Sequence, residues 1–126
     1  MSGAPIRVLV VDDAHSMRAI LKEILDEAAG FEVVGEASTG REAVARFRQL
    51  SPALVTMDIV LPEMDGIQAT REILKLDPAA FIVMCSALGQ EALLQESIAA
   101  GARDFIVKPF TSEKVLRVLA SLAPAR

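Results

Sequence analysis

Five residues of this chain can take part in phosphoryl chemistry, and each one ends a short apolar run. Asp12 and Asp13 follow Ile6–Val11, Asp58 follows Ala53–Met57, Ser86 follows Phe81–Cys85, and Lys108 follows Phe105–Val107 with Pro109 behind it. Carboxylates gathered at one place repel one another, and a hard divalent cation such as Mg²⁺, which takes a few carboxylates plus waters, relieves that repulsion. Asp58 is the best nucleophile of the three, because a carboxylate can attack phosphorus and form an acyl phosphate. A transferring phosphoryl group needs its equatorial oxygens neutralised, and a cation together with Lys108 can do this. Ser86 adds a hydroxyl that can donate to such a group.

Each residue also has a plainer reading. Asp12-Asp13 would cap the first helix and favour its dipole. Lys108 would be a surface lysine lying along apolar surface by its stem, and Ser86 a turn residue. What favours chemistry is that all five stand at equivalent strand ends. Pro109 strengthens the reading of Lys108, because a rigid or cis peptide would fix the lysine's direction. Phe105 is expected to pack in or near the core; its alternative role is an aromatic that changes rotamer when Ser86 moves. Cys85, inside an apolar run, reads as a small buried hydrophobe. His15 has no partners that suggest catalysis or metal binding, and Met17, Met57, Met64 and Met84 read as packing residues.

The positions of these residues rest on the elements that carry them. Four to six apolar residues rich in Val and Ile read as a buried parallel strand. Such strands stand at Ile6–Val11, Ala53–Met57, Phe81–Cys85 and Phe105–Val107, with a more polar edge strand at Phe31–Ala37. Helices alternate with them. Ser16–Ala28 places Met17, Ile20, Leu21, Ile24, Leu25 and Ala28 on one face, before Gly30 as a stop. Thr39 and Glu42 have capping-box spacing and open a helix that Ser51-Pro52 ends near Leu50. Asp65-Gly66 caps a third helix, which Asp77-Pro78 breaks after about Leu76. A weakly amphipathic helix runs from Gln90 to Ala100 before Gly101. The last, Ser112–Leu122, turns Val115, Val118, Leu119 and Leu122 inward. Alternation of this kind predicts an α/β fold with helices on both faces of a parallel sheet. Right-handed crossovers leave few topologies, and the flavodoxin-like order 2-1-3-4-5 suits five strands by analogy. In such a sheet the strand carboxyl ends share one edge, where ligands bind.

Composition narrows the class. The 126 residues suit one domain, able to bury about two-thirds of its unfolded surface. A chain with 52% hydrophobic and 24% charged residues is globular and not disordered. A net charge of −4 argues against nucleic acid and anionic membranes as partners. No apolar stretch nears the roughly 20 residues of a spanning helix, and Met1–Pro5 lacks the parts of a signal peptide. With one cysteine no internal disulfide is available, which suits a reducing, cytoplasmic setting.

The motifs VLVVDD (Val8–Asp13), TMDIVLPEMDG (Thr56–Gly66), MCSALG (Met84–Gly89) and AGARDFIVKPF (Ala100–Phe110) resemble those of receiver domains in two-component response regulators. The resemblance covers nearly the whole chain, and the wording of the first, third and fourth segments is most similar to stand-alone chemotaxis regulators. It implies a receiver domain over residues 6–123, with tails at 1–5 and 124–126. It implies that Asp58 is the phosphoacceptor for a CheA-like histidine kinase. Asp13, Asp58 and the backbone carbonyl of Val60 would bind Mg²⁺ directly, and Asp12 through a metal-bound water. Ser86 and Lys108 would contact phosphoryl oxygens. Phe105 would take an aromatic switch position that reshapes the face of the fourth helix, fifth strand and fifth helix. In chemotaxis that face binds a FliM-like flagellar switch protein, and a phosphatase would be a further partner. Phe105 stands where tyrosine is usual, Ser86 where threonine is usual, and Val60 and Leu88 are apolar beside the pocket. Apolar groups there cannot orient an attacking water, so slow dephosphorylation is expected.

Three other readings compete. An Mg²⁺-dependent phosphohydrolase of the haloacid-dehalogenase type would need a second aspartate two residues after its nucleophile, and position 14 is Ala. A nucleotide-binding fold would need G-x-G-x-x-G or a Walker A loop, and neither occurs. A receiver cut from a longer regulator, such as a transcription factor or a methylesterase, keeps the family and changes the role.

Overall fold

Strand and helix alternate five times: β1 (Ile6–Val11), α1 (His15–Glu27), β2 (Phe31–Ala37), α2 (Gly40–Leu50), β3 (Leu54–Asp58), α3 (Gly66–Leu76), β4 (Phe81–Ser86), α4 (Glu91–Ala99), β5 (Asp104–Val107) and α5 (Ser112–Leu122). These elements come from a computed structural model, which describes residues 4–122. Residues 1–3 and 123–126, which hold most of the expected tails and the expected last residue of the domain, lie outside them, as does the inward position expected for the Leu122 side chain.

All strand pairings are parallel, and the sheet order is β2-β1-β3-β4-β5, as expected. The three central strands are buried almost throughout because helices cover both faces. Side chains alternate across the sheet. Val8 and Val10 meet Leu21, Ile24 and Leu25 of α1 and Val115 and Leu119 of α5. Leu9 and Val11 meet Ala43 and Phe47 of α2 and Ile67, Ala69 and Ile73 of α3. β2, the expected edge strand, is half-buried along most of its length.

The differences from expectation are small, and two of them bear on the site. Asp58 and Ser86 are the last residues of their strands, one position beyond the expected ends, so the backbone ladder holds them directly. The α1 helix begins at His15 and closes on Ala28. Ile20, expected on its inner face, is exposed, because the stripe meeting the sheet centres on Leu21, Ile24 and Leu25. Thr39 Oγ1 accepts from the Glu42 N–H at 2.9 Å as a capping box requires, but the Glu42 carboxylate accepts from Ser38 N–H at 2.8 Å, one residue before the cap. Asp65 caps α3 by accepting from Gln68 N–H at 2.9 Å. Phe105, expected in or near the core, is 38% exposed. It lies on edge strand β5, where no further strand covers it and short α4 buries little.

Candidate functional site

The carboxyl ends of β1, β3 and β5 bring Asp12, Asp58 and Lys108 together. The Lys108 Nζ lies 3.0 Å from Asp12 Oδ2 and 3.3 Å from Asp58 Oδ1, so one ammonium bridges two carboxylates. One oxygen from each of Asp12, Asp13 and Asp58 falls within 4.8 Å of the others. Asp12 and Asp58 are buried and Asp13 is exposed, which gives the cluster an open side.

Each residue is held by backbone bonds. Asp12 N–H donates to the Ala37 carbonyl of β2 at 3.1 Å. Its Oδ1 accepts from Ala14 N–H at 2.9 Å, which closes the chain into α1. The N-cap of α1 is Ala14, with no side-chain cap, so this bond shapes the turn before the helix and is not the cap expected of Asp12-Asp13; the other oxygen, Oδ2, is the one that faces Lys108. Asp58 sits opposite Cys85 on β4, and the next residue, Ile59, donates to the Cys85 carbonyl at 3.3 Å. Lys108 N–H donates to the Ser86 carbonyl at 2.7 Å, and the Lys108–Pro109 peptide is cis.

The loop after Asp58 is confined on two sides. Gly66 N–H donates to the Ile59 carbonyl at 2.7 Å, and any Cβ on Gly66 would run into the Asp58 carbonyl. Across the loop, Arg41 N–H donates to the Glu63 carbonyl at 2.9 Å, and a Cβ on Gly40 would meet the Met64 carbonyl. Between these contacts Glu63 and Met64 take φ values of 50° and 91°. Left-handed backbone at two such residues persists only where the surroundings impose it.

Charge accounts for the rest. Burial, aided by the nearby charge of Asp12, raises the Asp58 carboxyl from 3.8 to about 6, with Lys108 working against the rise. Burial disfavours the Lys108 ammonium, yet Asp12 and Asp58 hold it above its usual value. Burial, with the charge of Asp58, pushes the Cys85 thiol up to about 12, as fits a buried hydrophobe. Three carboxylates against one ammonium leave an excess of two negative charges when all are ionised. Asp12 Oδ2 accepts no well-formed hydrogen bond despite its closeness to Lys108. An oxygen-only donor set with a double negative excess and a spare buried lone pair fits a hard dication.

Ser86 and Phe105 line a cavity of about 220 Å³ with Leu88, Leu94 and Val107, between α4 and β5. Val60 and Leu88 turn exposed side chains to solvent near the strand ends. His15 is exposed, while Met57 and Met84 belong to the core. Sequence reasoning missed Arg18, whose Nη1 donates to the Asp12 carbonyl at 2.6 Å. It also missed the close backbone approaches of Gly40 and Gly66. The adjacency of Asp65-Gly66 to the motif after Asp58 was the only available signal for these.

A model of the response regulator receiver domain matches residues 8–120. The chemotaxis protein CheY of Thermotoga maritima is 57% identical over 113 residues, spanning 90% of this chain and 93% of that protein. CheY of Bacillus subtilis is 53% identical over the same shares of the two chains. Among solved structures, the CheX-CheY-BeF3-Mg+2 complex from Borrelia burgdorferi contains a chain 38% identical, covering 97% of this chain and 92% of that one, with a TM-score of 0.88.

Proposed function

This chain belongs to the response regulator receiver domain family, with CheY proteins among its relatives, and on that footing we propose that Asp58 accepts a phosphoryl group from a histidine kinase in chemotaxis signalling. The observation that carries the reading is the single ammonium of Lys108 shared between Asp12 and a 7%-exposed Asp58. An Asp58 oxygen attacks phosphorus, the P–O bond forms, and the P–N bond of the donor phosphohistidine breaks, with the imidazole as leaving group. Lys108 is placed to move from the two carboxylates toward the phosphoryl oxygens as charge builds there. Ser86, at the end of β4, is the hydroxyl we assign to the same oxygens.

Asp13 and Asp58, with the Val60 carbonyl, would hold Mg²⁺, and Asp12 would reach it through water. Bound there, the ion neutralises charge on the transferring group and on its product. The product adds roughly one and a half to two negative charges to a site that already carries an excess. The Borrelia burgdorferi relative, whose complex includes Mg²⁺ and BeF3, supports this assignment.

Receiver domains of this type are signalling proteins and not classical enzymes. The readout we assign is the cavity between α4 and β5, whose lining includes both Ser86 and Phe105. Movement of Ser86 toward a phosphoryl group opens space for Phe105, which reshapes the α4–β5–α5 face for a protein partner such as a flagellar switch protein. Phosphorylation must favour the active form by about 5 kcal/mol for a full swing, and a partner's binding energy can complete a smaller shift. No helix among the described residues is long and apolar enough to cross a membrane; we assign the protein to the cytoplasm, with residues 6–123 as one receiver domain.

The test is incubation with acetyl phosphate and Mg²⁺ followed by intact-mass analysis. One phosphoryl group is expected on the wild type and none on Asp58→Ala or in EDTA. Phosphorylation of Asp58→Ala to the same extent would overturn the assignment. Phospho-dependent capture of purified flagellar switch protein then tests the partner.

A further inference from the structure

Arg18, in the second turn of α1, reaches back to the acidic cluster without touching a carboxylate of it. Its Nη1 donates to the Asp12 backbone carbonyl at 2.6 Å, and its Nε donates to Glu36 Oε1 at 2.8 Å. The other Glu36 oxygen accepts from Lys22 Nζ at 2.7 Å. Glu36 lies on β2 opposite Val10, two residues before Asp12. The Arg18 side chain is only 15% exposed, and Lys22 and Arg18 together hold the Glu36 carboxyl below its usual range. A planar guanidinium held by one acceptor directs its remaining N–H groups in fixed directions. Glu36 therefore aims Arg18 at the peptide that joins Asp12 to Asp13. Asp12 itself donates its N–H to the Ala37 carbonyl and accepts from Ala14 N–H on its side chain.

We propose that Arg18, aimed by Glu36, is a positioning residue that fixes the Asp12–Asp13 peptide and thereby two of the three carboxylates the site offers to Mg²⁺. The proposal rests on the functional reading above. A purely electrostatic role predicts the opposite sign: a positive charge beside a cation site weakens cation binding, so its removal would tighten Mg²⁺. A positioning role predicts that removal loosens Mg²⁺, because a ligand set held in place by outer hydrogen bonds loses affinity when those bonds go. Lys22 separates the two effects. It carries the same charge and pairs with the same Glu36, one turn further along α1, while its ammonium bonds Glu36 and not the Asp12 peptide.

The experiment is calorimetric titration of the whole chain with MgCl₂, paired with acetyl phosphate labelling of Asp58. Arg18→Met is expected to weaken Mg²⁺ by about tenfold, the low end for an outer-layer partner, and to slow labelling in step. Lys22→Met is expected to leave Mg²⁺ affinity unchanged or slightly tighter. Arg18→Lys keeps the charge and the Glu36 pair but loses the second branch of the fork; it serves where Arg18→Met weakens the fold, and the same direction of loss is expected. Unchanged or tighter Mg²⁺ binding in both Arg18 variants, with wild type binding and labelling normally, overturns the positioning role alone. A wild type that neither binds Mg²⁺ nor labels on Asp58 overturns the functional reading as well.

Discussion

Asp58 is a carboxylate that the fold makes costly to ionise, and the cost is measurable. Its pKa is raised from 3.8 to about 6, first by burial and then by the charge of Asp12. A carboxyl whose folded pKa lies above its unfolded one contributes most below the unfolded value and loses that contribution as pH rises through the folded value. A rise of this size corresponds to about 3 kcal/mol lost once both states are ionised. Replacing Asp58 by Asn keeps the shape and removes the charge, so Asp58→Asn should be more stable than wild type at about pH 8 without metal, by up to ~3 kcal/mol. The gap should narrow by about 1.4 kcal/mol on acidification to about pH 5 and close further below about pH 4, as the wild-type carboxyl takes up its proton. The assay is urea unfolding in EDTA, followed by far-ultraviolet circular dichroism because the chain has no Trp or Tyr. The difference between variants at each pH cancels the titration of groups remote from Asp58. A difference that stays constant between about pH 8 and pH 5, or a wild type more stable than the variant at about pH 8, would refute the burial argument.

Four shorter tests follow from the same geometry. Mg²⁺ should offset the carboxylate repulsion in wild type, raising stability by about 2.7 kcal/mol at a hundred times its dissociation constant, and this gain should shrink in Asp58→Asn; thermal melts with and without the ion read both. Gly66→Ala should cost about 1–3 kcal/mol and slow Asp58 labelling, because its Cβ displaces the Asp58 carbonyl; normal stability with normal labelling would contradict the close approach. Cys85 should resist a thiol reagent in the native state and react fully in urea, since it is buried and its thiol is pushed up to about 12. Val60→Asn should leave stability within about 0.5 kcal/mol and hasten loss of the acyl phosphate, because an exposed amide there can orient a water; slower loss than wild type would be the opposing result.

The strand-end residues were legible because buried parallel strands are read as unbroken apolar runs, and the first polar residue after each run marks the edge where a doubly wound sheet binds ligands. Asp12, Asp58 and Lys108 were found in this way, and the structure unites them within hydrogen-bonding reach. Phe105 was misplaced because its apolar run looks like that of a central strand. Whether a strand is covered on its far side depends on its place in the sheet order, and β5 is an edge. Arg18 and Glu36 gave no signal at all: they are 18 positions apart, and charged residues on a helix and an edge strand ordinarily face solvent.

What the sequence by itself determined is therefore the type and position of the strand-end groups: hydrophobic periodicity is local, and each run declares where its strand stops to within a residue. What only the tertiary structure decided is their mutual state. The sharing of one ammonium between Asp12 and Asp58, the raised Asp58 pKa, and the guanidinium held behind the Asp12 peptide all depend on distances between segments far apart in the chain. Electrostatic energy in a buried site varies steeply with such distances, and no spacing along the sequence encodes them.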